Sequence, residues 1–507
     1  MTAPASPSYA ALRKHLRETA TLASVGSLLA WDQETYMPAG GAAHRAEQQA
    51  MVAALAHQRA TDRKVADLLS ACEADAAVMA DARSAANVRE ARREYDRATK
   101  LPESLVAEFS RTCSLAQEAW KDARQRSDFG HFAPWLEKVM ALTRRKAECY
   151  GAPPGGELYD AMLDQYEPGM RAAQVEAIFG PLRKRLSALV GRIAAAPKRP
   201  ADRLLSLKAP AAQQQAFGEA VLAAMGFDLK AGRLDTTAHP FCESIGPGDT
   251  RLTTRYTTDS FLEPLFGTMH EAGHGLYEQG LPKAEHFGEP LADSISLGVH
   301  ESQSRMWENF VGRGREFWTW ALPVATRCLA PLLNGVSVDE IYGAANVVEP
   351  SHIRVEADEA TYNLHIMLRF GLEREMVAGS LAVKDLPGEW NRRFKDLLGI
   401  EVPDDRRGCL QDVHWSFGLV GYFPTYTLGN LYAAQMWEKI NADLPNLRAG
   451  MARGEFAPLK RWLNEKVHAH GRRYKASELC QVVTGAPLSA DPLLRHLEGK
   501  LAPLYGL

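Results

Sequence analysis

The chain has 507 residues, with 59 Lys and Arg against 62 Asp and Glu and a net charge of −3. That near-balance gives no electrostatic reason to expect nucleic acid or an anionic membrane as partner, and no run approaches the roughly 18 consecutive apolar residues of a membrane span. Seven cysteines, scattered singly with no C-x-x-C pair, argue against a disulfide framework and a cysteine-built zinc site and fit a reducing, cytoplasmic setting.

The N-terminus, Met1 to Pro7, lacks a basic stretch followed by an apolar one, so no secretory leader is expected. Ala, Leu, Glu and Arg then recur at helical spacing over 9–30, 41–58, 102–127, 171–195, 349–376 and 427–440. The softest joints are Ala152-Pro153-Pro154-Gly155-Gly156 and Pro197-Lys198-Arg199-Pro200. No repeat, Ser-rich tract or charge block cuts the chain, which reads as a single unit over 1–507. Basic clusters such as Arg144-Arg145-Lys146 read as solvated helix faces. The clearest strand signal is Arg251 to Thr257, rich in Thr with polar alternation. Beside a cleft, such a strand would offer backbone hydrogen bonds to an extended peptide; an ordinary surface strand is the alternative.

The next element carries the chemistry. Ser260-Phe261-Leu262-Glu263 reads as a capping box, with Pro264 in the first turn. Leu265, Phe266, Met269, Gly273, Leu276 and Tyr277 follow at helical spacing, and Gly280 is the expected stop. Within that helix stands His270-Glu271-Ala272-Gly273-His274, an H-E-x-x-H string. Residues at i and i+4 share a helix face, so both imidazoles reach one metal ion at about 2 Å. Glu271 is one step round and is placed to hold water as a general base. A core helix with two satisfied histidines is the bland reading. Two histidines and a carboxylate on one face are costly in a dry core, which favours the metal.

A catalytic zinc site needs a third protein ligand. Residues 275–280 contain no histidine, so a downstream carboxylate is required. Glu301, on a second helical pattern with Leu297, Met306 and Phe310, is favoured over Glu278 and Glu308. Further on, Ser351 is placed to cap a helix over 351–369, with Arg354, Asp358, Thr361, His365 and Arg369 on one face. An Arg354–Asp358 ion pair on a solvated face is one reading. The other is an arginine gripping the free carboxylate of a peptide, since a guanidinium matches a carboxylate at two points; Arg354 and Arg251 are both candidates. His414 and Tyr426 are candidates for hydrogen bonding an oxyanion. Tyr422 is an alternative to Tyr426, and a core cluster of Tyr422, Phe423 and Tyr426 is the plain reading.

Several blocks stand in one order: Trp31-Asp32-Gln33-Glu34-Thr35-Tyr36-Met37-Pro38, His239-Pro240-Phe241, Asp249-Thr250-Arg251-Leu252-Thr253, the HEAGH string, His300-Glu301-Ser302-Gln303, Ile353 to Asp358, and Gly408 to Trp415. In these the chain resembles the M32 family of metallocarboxypeptidases. The resemblance implies a mainly α, multi-helix gluzincin-type peptidase with a long active-site groove, flanked by two helical halves, and one small β-sheet beside the HExxH helix. It implies His270, His274 and Glu301 as ligands of zinc, cobalt or another divalent ion, and Glu271 as catalytic residue. Arg354, Arg251 and His239 lie in its blocks as substrate-binding candidates. It further implies release of C-terminal amino acids from peptides with broad specificity, and a homodimer. A groove-type metallo-oligopeptidase or dipeptidyl carboxypeptidase is the enzymatic alternative. A non-enzymatic helical interaction protein is a third reading, which the intact HEAGH and Glu301 oppose.

Overall fold

A computed structural model describes residues 6–257 and 259–507. The leader reading rests mostly on residues 1–5, outside that range. The molecule is mainly helical, with one three-stranded sheet among the described residues. The helices expected near the N-terminus run Pro7–Thr35 and Ala42–Ala60, and those further on Glu103–Arg126, Ala172–Ala194 and Pro424–Asp443. Leu12, Val65, Leu69, Cys72, Val78, Val88 and Ala91 form a small apolar cluster of their own. A far larger one takes in Phe132, Phe179, Phe217, Leu276, Trp307, Phe370 and Leu501. It continues across both soft joints, drawing on residues either side of each. No described helix is long and apolar enough to cross a membrane.

The sheet explains how the metal-motif helix is seated. Strands β1 (Gly232–Thr236), β2 (Cys242–Gly246) and β3 (Asp249–Thr254) lie in the order β1-β3-β2. β3 runs parallel to β1, with Gly232 opposite Thr250, and antiparallel to β2, with Cys242 opposite Leu252. Leu252, Thr253 and Thr254 are buried, and Thr254 hydrogen-bonds Thr268 of the motif helix at 2.9 Å. The strand therefore ends at Thr254, short of Thr257. Because both its edges are paired, it has no backbone left to offer a peptide; the outer edges belong to β1 and β2. Phe241, from the block beginning at His239, is tied in by its N–H to Thr253 Oγ1 at 2.8 Å.

Four expected helix signals are corrected. The motif helix spans Leu262–Gly280, but Ser260 and Glu263 do not form a reciprocal box. Ser260 Oγ accepts from Leu262 N at 3.2 Å, while Glu263 pairs with Arg255. Gly280 is the last helical residue, not the residue beyond it. A Cβ there would lie 2.2 Å from His468 Nδ1, so glycine is needed for close approach, and Leu281 leaves in extended conformation before Pro282. The stretch 349–361 is not continuous helix. It holds only a short 3-10 turn, Arg354–Glu356, and the helix proper is Tyr362–Ala378. Asp358, not Ser351, opens it, accepting from Ala360 N at 2.9 Å and Thr361 N at 3.0 Å. A side chain that satisfies the free N–H groups of a helix start competes with continuing the helix through it.

Just before that helix, Glu359 is buried against His496 at 3.0 Å and against Lys500, both on Asp491–Tyr505. Burial alone would raise its carboxyl pKa, but Lys500 and His496 outweigh that and hold it at about 2. A folded-state value below the unfolded one of about 4.3 stabilises the fold above that pH and is lost as pH falls towards 2. Glu359→Gln leaves Lys500 buried and unpaired, at about 3–5 kcal/mol. The variant is expected to melt well below the parent at pH 7, with the gap narrowing as both are taken below pH 4. A gap that does not change with pH contradicts this linkage.

Candidate metal centre and its surroundings

The motif helix and the helix Leu297–Arg305 touch backbone to backbone. A Cβ on Gly273 would lie 2.5 Å from the carbonyl oxygen of Gln303 and 2.6 Å from Ser304 Cα. This accounts for the glycine inside HEAGH. On the other side, a Cβ on Gly429 would come within 2.7 Å of Glu301 Cβ and Cγ. Glu301 is thus pressed between two helices and aimed at the histidines. His270 Nε2 is 3.7 Å and His274 Nε2 3.6 Å from Glu301 Oε2. Ligand atoms of all three lie within 4.8 Å of one another.

The outward atoms are tied off. His270 Nδ1 pairs with Glu308 at 2.9 Å, and Glu308 is gripped by Arg305 at 3.1 Å and Arg313 at 3.3 Å. Arg305 also holds Glu301 Oε1 at 2.7 Å, leaving Oε2 to face the imidazoles with one bond from Ser304 Oγ at 3.1 Å. His274 Nδ1 meets His300 Nδ1 at 2.5 Å, and His300 Nε2 meets Glu278 at 2.8 Å. Among the described residues neither inward Nε2 finds a hydrogen-bond partner. Two imidazole nitrogens and a carboxylate oxygen converge at distances too long to bond one another, a donor set that could hold a divalent ion. The rival carboxylates, Glu278 and Glu308, stand behind the histidines instead of beside Glu301. Ser302 to Gly312 is wholly buried apart from part of Arg305, and the chain from Met306 to Gly312 is a π turn. π turns recur at functional sites.

The electrostatics follow this layout. Burial lowers the His270 pKa, but the charges of Glu301 and Glu308 outweigh it and the net shift is upward. Burial, then His300 and His270, push His274 well below the ordinary range. Burial raises Glu308, yet Arg305, His270 and Arg313 carry it far down. Glu271, 8% exposed, is pushed up to about 7, first by burial and then by Glu301, against the pull of His270.

A second polar cluster adjoins this one. Arg305 lies over the Tyr362 ring at 4.4 Å, and Tyr362 Oη accepts from Arg354 Nη1 at 2.9 Å. Arg354 does not pair with Asp358. It donates to Asp412 Oδ1 from Nε at 3.0 Å and Nη2 at 2.9 Å, while Arg369 donates to Oδ2 at 2.6 Å. Two buried guanidinium groups thus share one carboxylate. Asp412 is held far below its ordinary pKa by them despite its burial. His414 Nε2 meets Tyr426 Oη at 3.2 Å, and its pKa is pushed down to about 3 by burial and then by Arg354 and Arg369, against Asp412. His414 Nδ1 and both ring nitrogens of His365 are buried without partners among the described residues. Tyr422, Phe423 and Tyr426 pack around His414, so the aromatic cluster is real and the tyrosine hydroxyl still faces a polar group.

Arg251 keeps other company. It is clamped by Asp249 at 2.8 and 2.7 Å and stacks over Trp31 at 4.3 Å. His239 is exposed in the connection between β1 and β2. Sequence reasoning missed Glu308, Arg305, His300 and Glu278 as supports and Asp412 as the partner of Arg354. The offsets of Arg305 and Glu308 from Glu301, four and seven residues, were the available signal, since they put all three on one helical face.

Fold and site define a helical metallopeptidase of the HExxH-plus-glutamate type. The profile of the carboxypeptidase Taq (M32) metallopeptidase family matches residues 11–501. Thermostable carboxypeptidase 1 of Thermus thermophilus is 50% identical over 506 residues, covering 98% of this chain and 99% of that one. Carboxypeptidase 1 of Bacillus subtilis is 37% identical over 94% of this chain and 95% of its own. Among solved structures, the M32 carboxypeptidase from Deinococcus radiodurans superimposes with a TM-score of 0.95 at 41% identity, over 99% of this chain and 100% of that one. The Pyrococcus furiosus carboxypeptidase gives 0.94 at 36% identity, over 98% and 99%. The chain belongs to the M32 metallopeptidase family and is a metallocarboxypeptidase.

Proposed function

We propose that the protein removes C-terminal amino acids from peptides with broad specificity, using one divalent ion, zinc or cobalt, held by His270, His274 and Glu301. The observation that carries this is the convergence of their inward ligand atoms within 4.8 Å while the outward atoms are tied to Glu308, His300 and Arg305. An ion bound there supplies a Lewis acid that polarises the scissile carbonyl and acidifies water. Glu271 holds the water at its carboxylate, takes a proton as the water attacks, and passes it to the leaving nitrogen. Tyr426, paired with a His414 kept neutral, is our candidate to donate to the developing oxyanion.

For the substrate carboxylate, Arg354 is the better candidate. Arg354 and Arg369 against a single Asp412 leave one surplus positive charge, linked through Tyr362 and Arg305 to Glu301. Arg251 is already neutralised by Asp249 and, with the exposed His239, is the weaker candidate for contact with the peptide. We place the protein in the cytoplasm, with support from seven cysteines that are all unpaired, and expect a homodimer by light scattering, as the family resemblance implies.

Metal content tests the ligand set. About one divalent ion per chain is expected in the parent protein, with little in His274→Ala and less than parental content in Glu301→Gln, which keeps shape but loses the anionic ligand. Equal content in the parent and His274→Ala contradicts the assignment.

A further inference from the structure

The two histidines of the HExxH string are backed differently. Behind His270 stands a carboxylate, Glu308. Behind His274 stands another imidazole, His300, whose two nitrogens are both engaged, Nδ1 with His274 Nδ1 at 2.5 Å and Nε2 with Glu278 at 2.8 Å. Glu278 is on the same helix as His274, one turn on, and its other oxygen is taken by Lys283, which also reaches Ser244 of β2. The His300 ring is fixed by packing, 4.5 Å from the His274 centroid and 5.4 Å from that of Tyr277. Tyr277 is fully buried and its hydroxyl accepts from Ile295 N at 3.3 Å.

As a ligand through Nε2, His274 must carry its proton on Nδ1, and the contacts behind it then admit one arrangement of protons. A carboxylate already bound by an ammonium can only accept, so the proton between Glu278 and His300 sits on His300 Nε2. A neutral imidazole with Nε2–H has a bare Nδ1. His300 Nδ1 therefore accepts, and the proton between the rings belongs to His274 Nδ1. The lone pair of His274 is then on Nε2, the atom 3.6 Å from Glu301 Oε2.

We propose that Glu278 and His300 are positioning residues that hold His274 through its Nδ1–H, so that Nε2 is presented as a metal donor. The proposal rests on the reading of His274 as a ligand and deepens it. It assigns a role to the histidine of the His300-Glu301-Ser302-Gln303 block, and to a glutamate four residues beyond His274. The second support differs from the first in kind: a carboxylate acts on His270 directly, and on His274 only through an intervening ring.

The test compares two double variants, chosen so that neither leaves Lys283 unpaired. Glu278→Gln with Lys283→Met keeps a carbonyl oxygen able to accept from His300 Nε2. Glu278→Met with Lys283→Met removes the acceptor. Zinc affinity of the metal-free proteins, measured by competition with a chromophoric chelator, is expected to fall about 10–100-fold in the Met pair and to stay near the parental value in the Gln pair, the scale usual for losing a partner of a metal-ligating histidine. Melting temperatures of the two metal-free variants should match, which separates positioning from simple destabilisation. The independent readout is ¹⁵N NMR of histidine-labelled, metal-free parent protein, with His274 assigned from the spectrum of His274→Gln. Its Nδ1 is expected to carry the proton and its Nε2 to be bare. An Nε2–H tautomer in the parent, or equal zinc affinity in the two double variants, overturns the proposal. If instead His274→Ala binds zinc as the parent does, the ligand assignment itself has failed.

Discussion

Glu271→Gln is expected to lower turnover by about 10²–10⁴-fold, the range for losing a general base, with the divalent ion content unchanged. The glutamine has the size of the carboxyl and still hydrogen-bonds water, but it cannot take the proton. The ligands need not move, because His270, the immediate neighbour, is held from behind by Glu308 at 2.9 Å and not by Glu271. KM is expected to stay close to the parental value, since binding of the peptide does not use the base. Stopped-flow or discontinuous assay of a peptide acid, with elemental analysis of the same preparation, gives both numbers. Turnover within a few-fold of the parent removes Glu271 from the mechanism; lost metal with lost turnover leaves the residue as a structural support only.

Amidation of the substrate is expected to have an effect of similar size. A peptide whose C-terminal carboxylate is replaced by a carboxamide loses its charge and leaves the surplus cation of the Arg354–Arg369–Asp412 cluster without a partner. Leaving a buried charge unpaired costs about 2–5 kcal/mol, which corresponds to a fall of about 30- to several thousand-fold in kcat/KM. Arg354→Met should cut cleavage of the free acid steeply and change the poor cleavage of the amide little, because the contact removed is one the amide never makes. The same substitution at Arg251, already matched by Asp249, is expected to have the smaller effect. Equal kcat/KM for acid and amide would show that no cation reads the C-terminus.

The metal-motif helix was legible because its signal is local. Two histidines at i and i+4, a flanking glutamate and apolar residues at helical spacing all fall within Leu262–Gly280. Glu301 was legible as a candidate, and the order of the blocks raised it above Glu278 and Glu308. What those two do could not be read, because a carboxylate that backs a histidine and one that binds an ion look alike in sequence; only the contacts of His270 and His300 separate them. Arg354 was placed on a helical face, with an ion pair to Asp358 as one of its two readings. Its real partner, Asp412, is 58 residues away, and no periodicity connects them. The same long-range pair explains why 349–361 departs from helix: the buried guanidinium is anchored elsewhere, and Asp358 is used to start the helix at Tyr362. The strand before the motif was seen, but its central place in the sheet depends on β1 and β2, two five-residue segments with weak strand signals.

The most direct test of the account is mass spectrometry of a mixed peptide pool after incubation with the protein, with and without a metal chelator. The account predicts ladders of products shortened from the C-terminus by single residues, across many terminal residue types, and no products when the chelator is present. Products cut at internal bonds or shortened by dipeptides, or ladders that persist undiminished in chelator, contradict it.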